Sequence, residues 1–90
     1  MPIRIALLRS ILINGRRVSG ADVRGLAEAA GGTDARSVIA TGNVVFRSRK
    51  APATLEREME TACAAAFGQP TEIIVKTADE WRAQIGRAHV

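Results

Sequence analysis

The sequence has few of the residue types that define several common classes of protein. Its 90 residues include one cysteine, one histidine, two phenylalanines, one tryptophan and no tyrosine. A single cysteine, Cys63, excludes an intramolecular disulfide and disfavours a secreted disulfide scaffold. No apolar run approaches the roughly 20 residues that a transmembrane helix needs. These absences favour a small cytoplasmic domain that is not associated with a membrane.

Groups that carry chemistry are also scarce. The only imidazole belongs to His89, close to the end of the chain. Cys63 lies on the apolar stripe of a predicted helix, which favours core packing over a role as a nucleophile. Glu56, Glu58 and Glu60 are expected on the outer surface of that helix as solubilising charges. We therefore predict no catalytic residue, no metal ligand and no cofactor in this chain.

The last six residues, 85–90, match the translation of a reading frame in a common short-read sequencing adapter. The adapter bases that precede this frame fit the codon for Gln84. We expect residues 1–84 to be half of a larger protein and residues 85–90 to be a non-native tail. Removing the tail would remove His89 and would lower the net charge from +4 to +3, because it contains Arg87.

The first half of the chain predicts a strand, a loop and a helix. Apolar residues alternate from Ile3 to Leu8, as in a strand. Asn14-Gly15 ends this pattern, and Arg16-Arg17 is expected in a loop. Ser19 and Asp22 then have the spacing of a capping box, which begins a helix. Gly31-Gly32 is expected to end that helix.

The next segment predicts a hairpin. Residues 35–40 and Val44-Val45-Phe46 read as two strands, and Thr41-Gly42-Asn43 supplies the turn between them. A second helix is expected from Pro52 to Gly68. Its buried stripe comprises Leu55, Met59, Ala62, Cys63, Ala66 and Phe67.

A fourth strand and the start of another helix complete the pattern. The strand spans residues 72–76, and Thr77 with Glu80 forms a second capping box. Trp81 is the expected apolar anchor of the helix that follows. The order βαββαβ indicates an α+β fold of the ferredoxin-like, split βαβ type, with both full helices on one face of the sheet.

Several segments of this chain resemble a bacterial family known as domain of unknown function 1697. The most specific of them is 41–46, Thr-Gly-Asn-Val-Val-Phe. Residues 6–9, 15–18 and 21–24 also resemble it, and the resemblance extends over about residues 3–82. It implies a small α+β bacterial protein with no agreed activity. Members are about twice as long, so it also implies a missing C-terminal half as a partner.

The chain departs from the family pattern in the first loop. Ser10 and Asn14 stand where the family usually has glycine, and Leu12 stands where it usually has asparagine. Two flexible positions and one polar side chain are therefore missing from this loop, which weakens any site transferred from the family.

The loop from Arg9 to Ser19 is the best candidate for a binding site. It leads into the N-terminus of a helix, where backbone N–H groups and the helix dipole favour an anion. The 41–43 turn can place a hydroxyl and an amide beside it. The alternative is a solvated connecting loop beside a purely structural turn. The candidate ligand-binding residues are Arg9, Asn14, Gly15, Arg16, Arg17, Ser19, Thr41, Gly42 and Asn43.

Three functional hypotheses remain open at this point. The first is a module that binds a small anionic ligand or partner through the 9–19 loop and the 41–43 turn. The second is half of an enzyme whose catalytic residues lie in the missing half. The third is weak electrostatic binding of nucleic acid, because residues 1–50 hold nine Lys/Arg against three Asp/Glu. Sequence-specific RNA recognition is not expected, because Phe46 is the only aromatic residue on the two central strands.

Overall fold

The computed structural model describes residues 2–37 and 42–88, with side chains described as far as Ala83. The order of elements is β1 (Ile3–Leu8), β2 (Leu12–Ile13), β3 (Arg16–Arg17), α1 (Gly20–Ala29), β4 (Thr33–Ser37), β5 (Asn43–Arg47), α2 (Pro52–Phe67), β6 (Ile73–Thr77) and α3 (Ala78–Ala88). The strand predicted over 35–40 begins earlier, at Thr33, and its residues 38–40 lie outside the described part. Thr41 and His89 also lie outside it.

Four of the strands form one antiparallel sheet in the order β4-β5-β1-β6. This is the strand order of a ferredoxin-like fold, in which the first and third strands of the βαββαβ pattern are central. The predicted fold class is therefore confirmed. Helices α1 and α2 pack against the same face of this sheet, as their shared apolar cluster with the strands shows.

The core lies between these two helices and the sheet. Its largest fully buried side chains are Phe46, Leu55, Met59, Ile73, Val23, Val44 and Cys63. Each large apolar side chain of this kind contributes about 1.5–3 kcal/mol by leaving water. Phe46 is only 1% exposed and belongs to this cluster, so no nucleobase can stack on it. Ala66, expected on the buried stripe of α2, is exposed.

The segment after β1 is a hairpin and not the expected loop. Strands β2 and β3 pair directly, with Leu12 opposite Arg17 and Ile13 opposite Arg16. Both residues of the turn have positive φ, 54° at Asn14 and 75° at Gly15. Asn-Gly is the pair most suited to this type of two-residue turn, because asparagine and glycine tolerate such backbone angles. The Asn-Gly signal was present, but each flanking strand has only two residues.

The predicted helix ends are confirmed. Ser19 Oγ accepts from Asp22 N at 3.1 Å, and Asp22 Oδ2 accepts from Ser19 N at 2.9 Å. The second capping box joins Thr77 and Glu80 in the same reciprocal way at the start of α3. Gly68 ends α2 with a φ of 76°. These contacts satisfy backbone groups that helix ends leave without a partner.

The outer edge of β6 is closed by side chains of α2. Glu60 Oε2 accepts from Ile73 N at 3.0 Å, and Glu56 Oε2 accepts from Val75 N at 2.8 Å. The prediction that these glutamates are only solubilising surface charges is wrong. Their spacing of four residues matches two donors on one side of the strand, a long-range relation that no local pattern reveals.

The other face of the sheet is partly covered by α3, which contacts β1 and β6. Ile5 on this face is buried, whereas Ile3 and Ile74 remain exposed. Trp81, the predicted anchor of α3, is half-buried. Helix α3 extends through residues 85–88, and the non-native origin of residues 85–90 stays a prediction. Among the described residues, no helix has the length and apolar character needed to cross a membrane.

Candidate functional site

Four of the predicted site residues meet at one small cleft. Arg17, Ser19, Gly42 and Asn43 line it, and the remaining lining residues are Val18, Gly20, Val23 and Ser37. Its volume is about 90 Å³. The cleft thus lies where β3 leads into α1 and where β5 begins, so the structure brings Arg17 and Ser19 close to Gly42 and Asn43.

The fold holds the walls of this cleft by contacts between distant segments. Leu8 N donates to Gly42 O at 3.1 Å, which fixes the turn against the end of β1. Arg24 Nη1 donates to Ser37 Oγ at 2.9 Å, which ties α1 to the end of β4. Gly42 has a φ of 74°, a backbone conformation that glycine adopts without strain. The position of the cleft is therefore set by the sheet and α1 and not by the hairpin alone.

The lining of the cleft includes an arginine, Arg17, and the first residue of a helix, Gly20. Arg17 is exposed and has no hydrogen bond or ion pair within the described residues. Gly20 is the first residue of α1, and its N–H has no partner inside the helix. The positive end of the helix dipole adds to the positive potential of Arg17. The cleft therefore has donors for a small anion and a mixed polar lining.

Asp22 carries a negative charge in the first turn of α1 and therefore opposes the binding of an anion there. Its pKa is lowered, first because its carboxylate accepts a hydrogen bond from the backbone N–H of Ser19. The Ser19 hydroxyl and the charge of Arg16 act in the same direction, while partial burial opposes them. Asp22 is thus an anion at neutral pH and already uses one donor of the helix end. Arg17 and Gly20 are not used by Asp22 and can serve an anionic ligand.

The remaining candidates from the first loop have other contacts. Arg9 Nη1 pairs with Glu72 Oε1 at 3.1 Å, on the exposed surface just before the start of β6. Asn14 Nδ2 donates to Phe67 O at 3.1 Å, at the C-terminus of α2. The guanidinium of Arg16 lies 4.8 Å from the centre of the Phe67 ring. Gly15 forms the hairpin turn, and Thr41 lies outside the described residues. These residues attach the hairpin to the rest of the fold.

The sequence analysis did not select four of the lining residues, which are Val18, Gly20, Val23 and Ser37. Gly20 follows the capping residue directly, so the capping box was the signal that could have located it. Ser37 lies at the end of β4 and reaches the cleft only because β4 pairs with β5. Its place depends on tertiary structure, for which the local sequence has no pattern.

Other reactive groups do not assemble into a site in the part of the chain that the structure describes. No group of three or more His, Cys, Asp or Glu residues there has a geometry that can hold a metal ion. Cys63 is fully buried, and its Sγ donates to Gln69 O at 3.6 Å. Burial raises the pKa of the Cys63 thiol, which disfavours the nucleophilic thiolate. The prediction that Cys63 packs in the core is confirmed.

Comparison with known proteins supports the fold and a family. The conserved bacterial protein SP0830 from Streptococcus pneumoniae has a structure similar to this one, with a TM-score of 0.74 at 23% identity. The similarity covers 94% of this chain and 48% of that one, so this chain spans about half of its length. At this identity the likeness shows the fold alone. No curated protein matches the chain.

A family model provides the assignment. The model described as "Protein of unknown function (DUF1697)" matches residues 1–89. This match confirms the resemblance that the Thr-Gly-Asn-Val-Val-Phe segment and residues 6–9, 15–18 and 21–24 indicate. The chain belongs to the DUF1697 family, whose function is not known.

Proposed function

We propose that this chain binds a small anion, of the phosphate or carboxylate class, in the cleft between the start of α1 and the start of β5. The observation that carries the proposal is the position of Arg17 and Gly20 on one cleft of about 90 Å³. Hydrogen bonds from a guanidinium to an anion are among the stronger contacts available on a protein surface. Arg17 has no competing acceptor among the described residues.

The size of the cleft limits the ligand. At about 90 Å³ the cleft is small, which favours a compact anionic group. We therefore expect recognition of a single anionic group and not of a large apolar ligand.

A thermal denaturation series tests the proposal. A ligand that binds only the folded state raises its stability in proportion to ln(1 + [L]/Kd). We expect sodium phosphate to raise the Tm of the wild type above that in sodium chloride of equal ionic strength. Arg17→Gln should lose most of this difference. Arg57→Gln is the matched control, because Arg57 is also an exposed arginine but lies on α2, outside the cleft lining.

The control separates binding from general salt effects. Phosphate also stabilises proteins by exclusion from their surface, and this part should be equal in both variants. Equal phosphate-dependent increases in the wild type, Arg17→Gln and Arg57→Gln would contradict the proposal. Affinity for an oligonucleotide that falls steeply with salt and decreases equally in both variants would instead favour the electrostatic nucleic-acid alternative.

We further propose that the chain acts as one half of a larger cytoplasmic protein. The support is that SP0830 is about twice as long as the matched region and that a single cysteine disfavours a secreted disulfide scaffold. In such a protein the second half is the partner, and an enzyme would need its catalytic groups there. Acid–base or nucleophilic residues facing the Arg17 cleft from that half would favour the enzyme alternative.

A further inference from the structure

The outer edge of β6 is a row of backbone groups closed by side chains. β6 is the last strand of the four-stranded sheet, so within residues 2–37 and 42–88 one side of it has no neighbouring strand. The N–H groups of Ile73 and Val75 point to that side and donate to Glu60 and Glu56. An open strand edge is a template for pairing with another chain, and proteins block such edges with charged side chains. Here the carboxylates of Glu56 and Glu60 block the edge by accepting hydrogen bonds from its N–H groups.

The sequence of β6 is suited to antiparallel pairing with a second copy of the same segment. Residues 72–76 read Glu-Ile-Ile-Val-Lys, with opposite charges at the ends and apolar residues between them. When two copies of this segment lie antiparallel about Ile74, Ile73 faces Val75 of the other copy. In the same register Glu72 faces Lys76. Two such pairs of opposite charge arise by symmetry, because a two-fold interface repeats each contact.

The hydrogen-bonding pattern fits this register. Opposite residues in an antiparallel pair alternate between exchanging two hydrogen bonds and exchanging none. Ile73 and Val75 have the outward N–H groups, so the pair that they form is the hydrogen-bonded one. Ile74 then meets its own symmetry mate in the closer, non-hydrogen-bonded position. Ile74 is a large apolar residue that is 43% exposed, and this contact would cover it.

We propose that the outer edge of β6 is a pairing surface for a second copy of this chain, and that Glu56 and Glu60 hold it closed. Pairing about Ile74 joins two four-stranded sheets into one continuous sheet. Both glutamates have to leave Ile73 and Val75 before the carbonyl groups of the second copy can accept from them. The edge is therefore closed while the two carboxylates remain in place.

The closed state is favoured in the wild type by the geometry of α2. Glu56 and Glu60 are one helical turn apart, and their donors are two residues apart on β6. The two contacts form within one molecule and cost no loss of translational freedom. A second copy has to offset that loss as well as replace two charge-assisted hydrogen bonds. Removing both carboxylates should shift the balance towards the dimer.

Sedimentation of the full chain and a double variant tests the proposal. We expect the wild type to sediment as a monomer of 9.6 kDa. Glu56→Ala/Glu60→Ala should form a dimer that dissociates on dilution. Glu56→Gln/Glu60→Gln is the control, because an amide oxygen still accepts from the two N–H groups and should keep the chain monomeric. A folded alanine double variant that stays monomeric at every concentration would overturn the proposal.

Charge exchange then identifies the register. In the alanine background, Lys76→Glu places Glu72 opposite a second glutamate, and Glu72→Lys places Lys76 opposite a second lysine. Each variant alone should dimerise about tenfold more weakly or worse. An equal mixture of the two should form a heterodimer, because each contact again joins opposite charges. Association that is indifferent to these charges would show a different interface and would overturn the proposal.

A second double variant covers the case in which the alanine double variant does not fold. The amide signals of Ile73 and Val75 can be followed by NMR in Glu56→Ser/Glu60→Ser, which also opens both donors. We expect only these two amides and that of Ile74 to change with protein concentration. Concentration-dependent changes confined to other segments, or none at all, would contradict pairing through β6.

Discussion

The edge of β6 and the cleft at α1 use charged side chains in opposite ways. At the edge, Glu56 and Glu60 each accept a hydrogen bond from a buried residue of the strand. At the cleft, Arg17 has no partner within the described part of the chain. The comparison shows that the charge and partial exposure of a side chain do not reveal its role. The role becomes clear only from whether the side chain makes a hydrogen bond to the backbone.

The difference has an energetic consequence. A backbone N–H that loses its only acceptor inside a protein costs about 1–3 kcal/mol, whereas an exposed charge without a partner contributes little to stability. Substitutions at the β6 edge should therefore change the free energy of unfolding, and a substitution of Arg17 should change ligand binding. The following predictions are ordered by the size of the expected effect.

The largest effect is expected in the apolar core that supports both regions. Phe46→Ala should lower the free energy of unfolding by about 3–5 kcal/mol, because it removes a fully buried ring. Urea denaturation followed by circular dichroism measures this loss. Ile3→Ala is a control on the exposed side of the sheet and should cost clearly less. Equal losses in the two variants would contradict the assignment of Phe46 to the core.

Opening the edge of β6 should have the next largest effect. Glu60→Ala or Glu56→Ala should each lower the free energy of unfolding by about 1–3 kcal/mol, because the N–H of Ile73 or Val75 loses its acceptor. The control is Glu58→Ala on the same helix, whose carboxylate pairs with Lys50 at 2.6 Å near the surface. It should cost at most about 1 kcal/mol. Equal losses of unfolding free energy in all three variants would contradict a special role for Glu56 and Glu60.

The capping carboxylate at α1 should give a smaller effect that depends on pH. The pKa of Asp22 is lowered, chiefly by the backbone N–H of Ser19. Its contribution is therefore fully present above the unfolded pKa of about 3.9, and it is lost as the pH falls through the lower folded pKa. Asp22→Asn should destabilise the protein at neutral pH by under about 1 kcal/mol. The two proteins should become equally stable in strong acid; a constant difference at all pH values would contradict this account.

Arg17 should have the smallest effect on stability. Arg17→Gln should leave the free energy of unfolding within about 0.5 kcal/mol of the wild type, since the side chain is exposed and makes no hydrogen bond or ion pair with a described residue. Chemical denaturation without phosphate measures this. A loss above about 1 kcal/mol would show that Arg17 has a structural role.

The sequence predicts the elements of this fold well because their signals are local. The capping boxes at Ser19 and Thr77, the glycine at position 68 and the alternation in β1 each depend on residues a few positions apart. The order of these helices and strands is then compatible with only a few sheet topologies. The hairpin at Asn14-Gly15 was missed because its two strands are too short to show a period.

The candidate site is only partly predictable for the opposite reason. Arg17 and Ser19 lie in the segment that the sequence selects, but Arg9 and Arg16 look equivalent to Arg17 along the chain. What separates them is a contact with a distant residue, Glu72 or Phe67. The roles of Glu56 and Glu60 depend on the same kind of long-range contact. Composition and residue spacing do not predict contacts between residues that are far apart in the sequence.

The most direct test of the central claim is a map of backbone amide shifts in the wild type. Inorganic phosphate is added against sodium chloride of equal ionic strength, and every amide is read in one experiment. The account predicts shifts that saturate at residues 17–20 and 42–43, with none at Ile73 or Val75. Shifts that are absent from the cleft, or that grow without saturation at all arginine-rich segments, would contradict it.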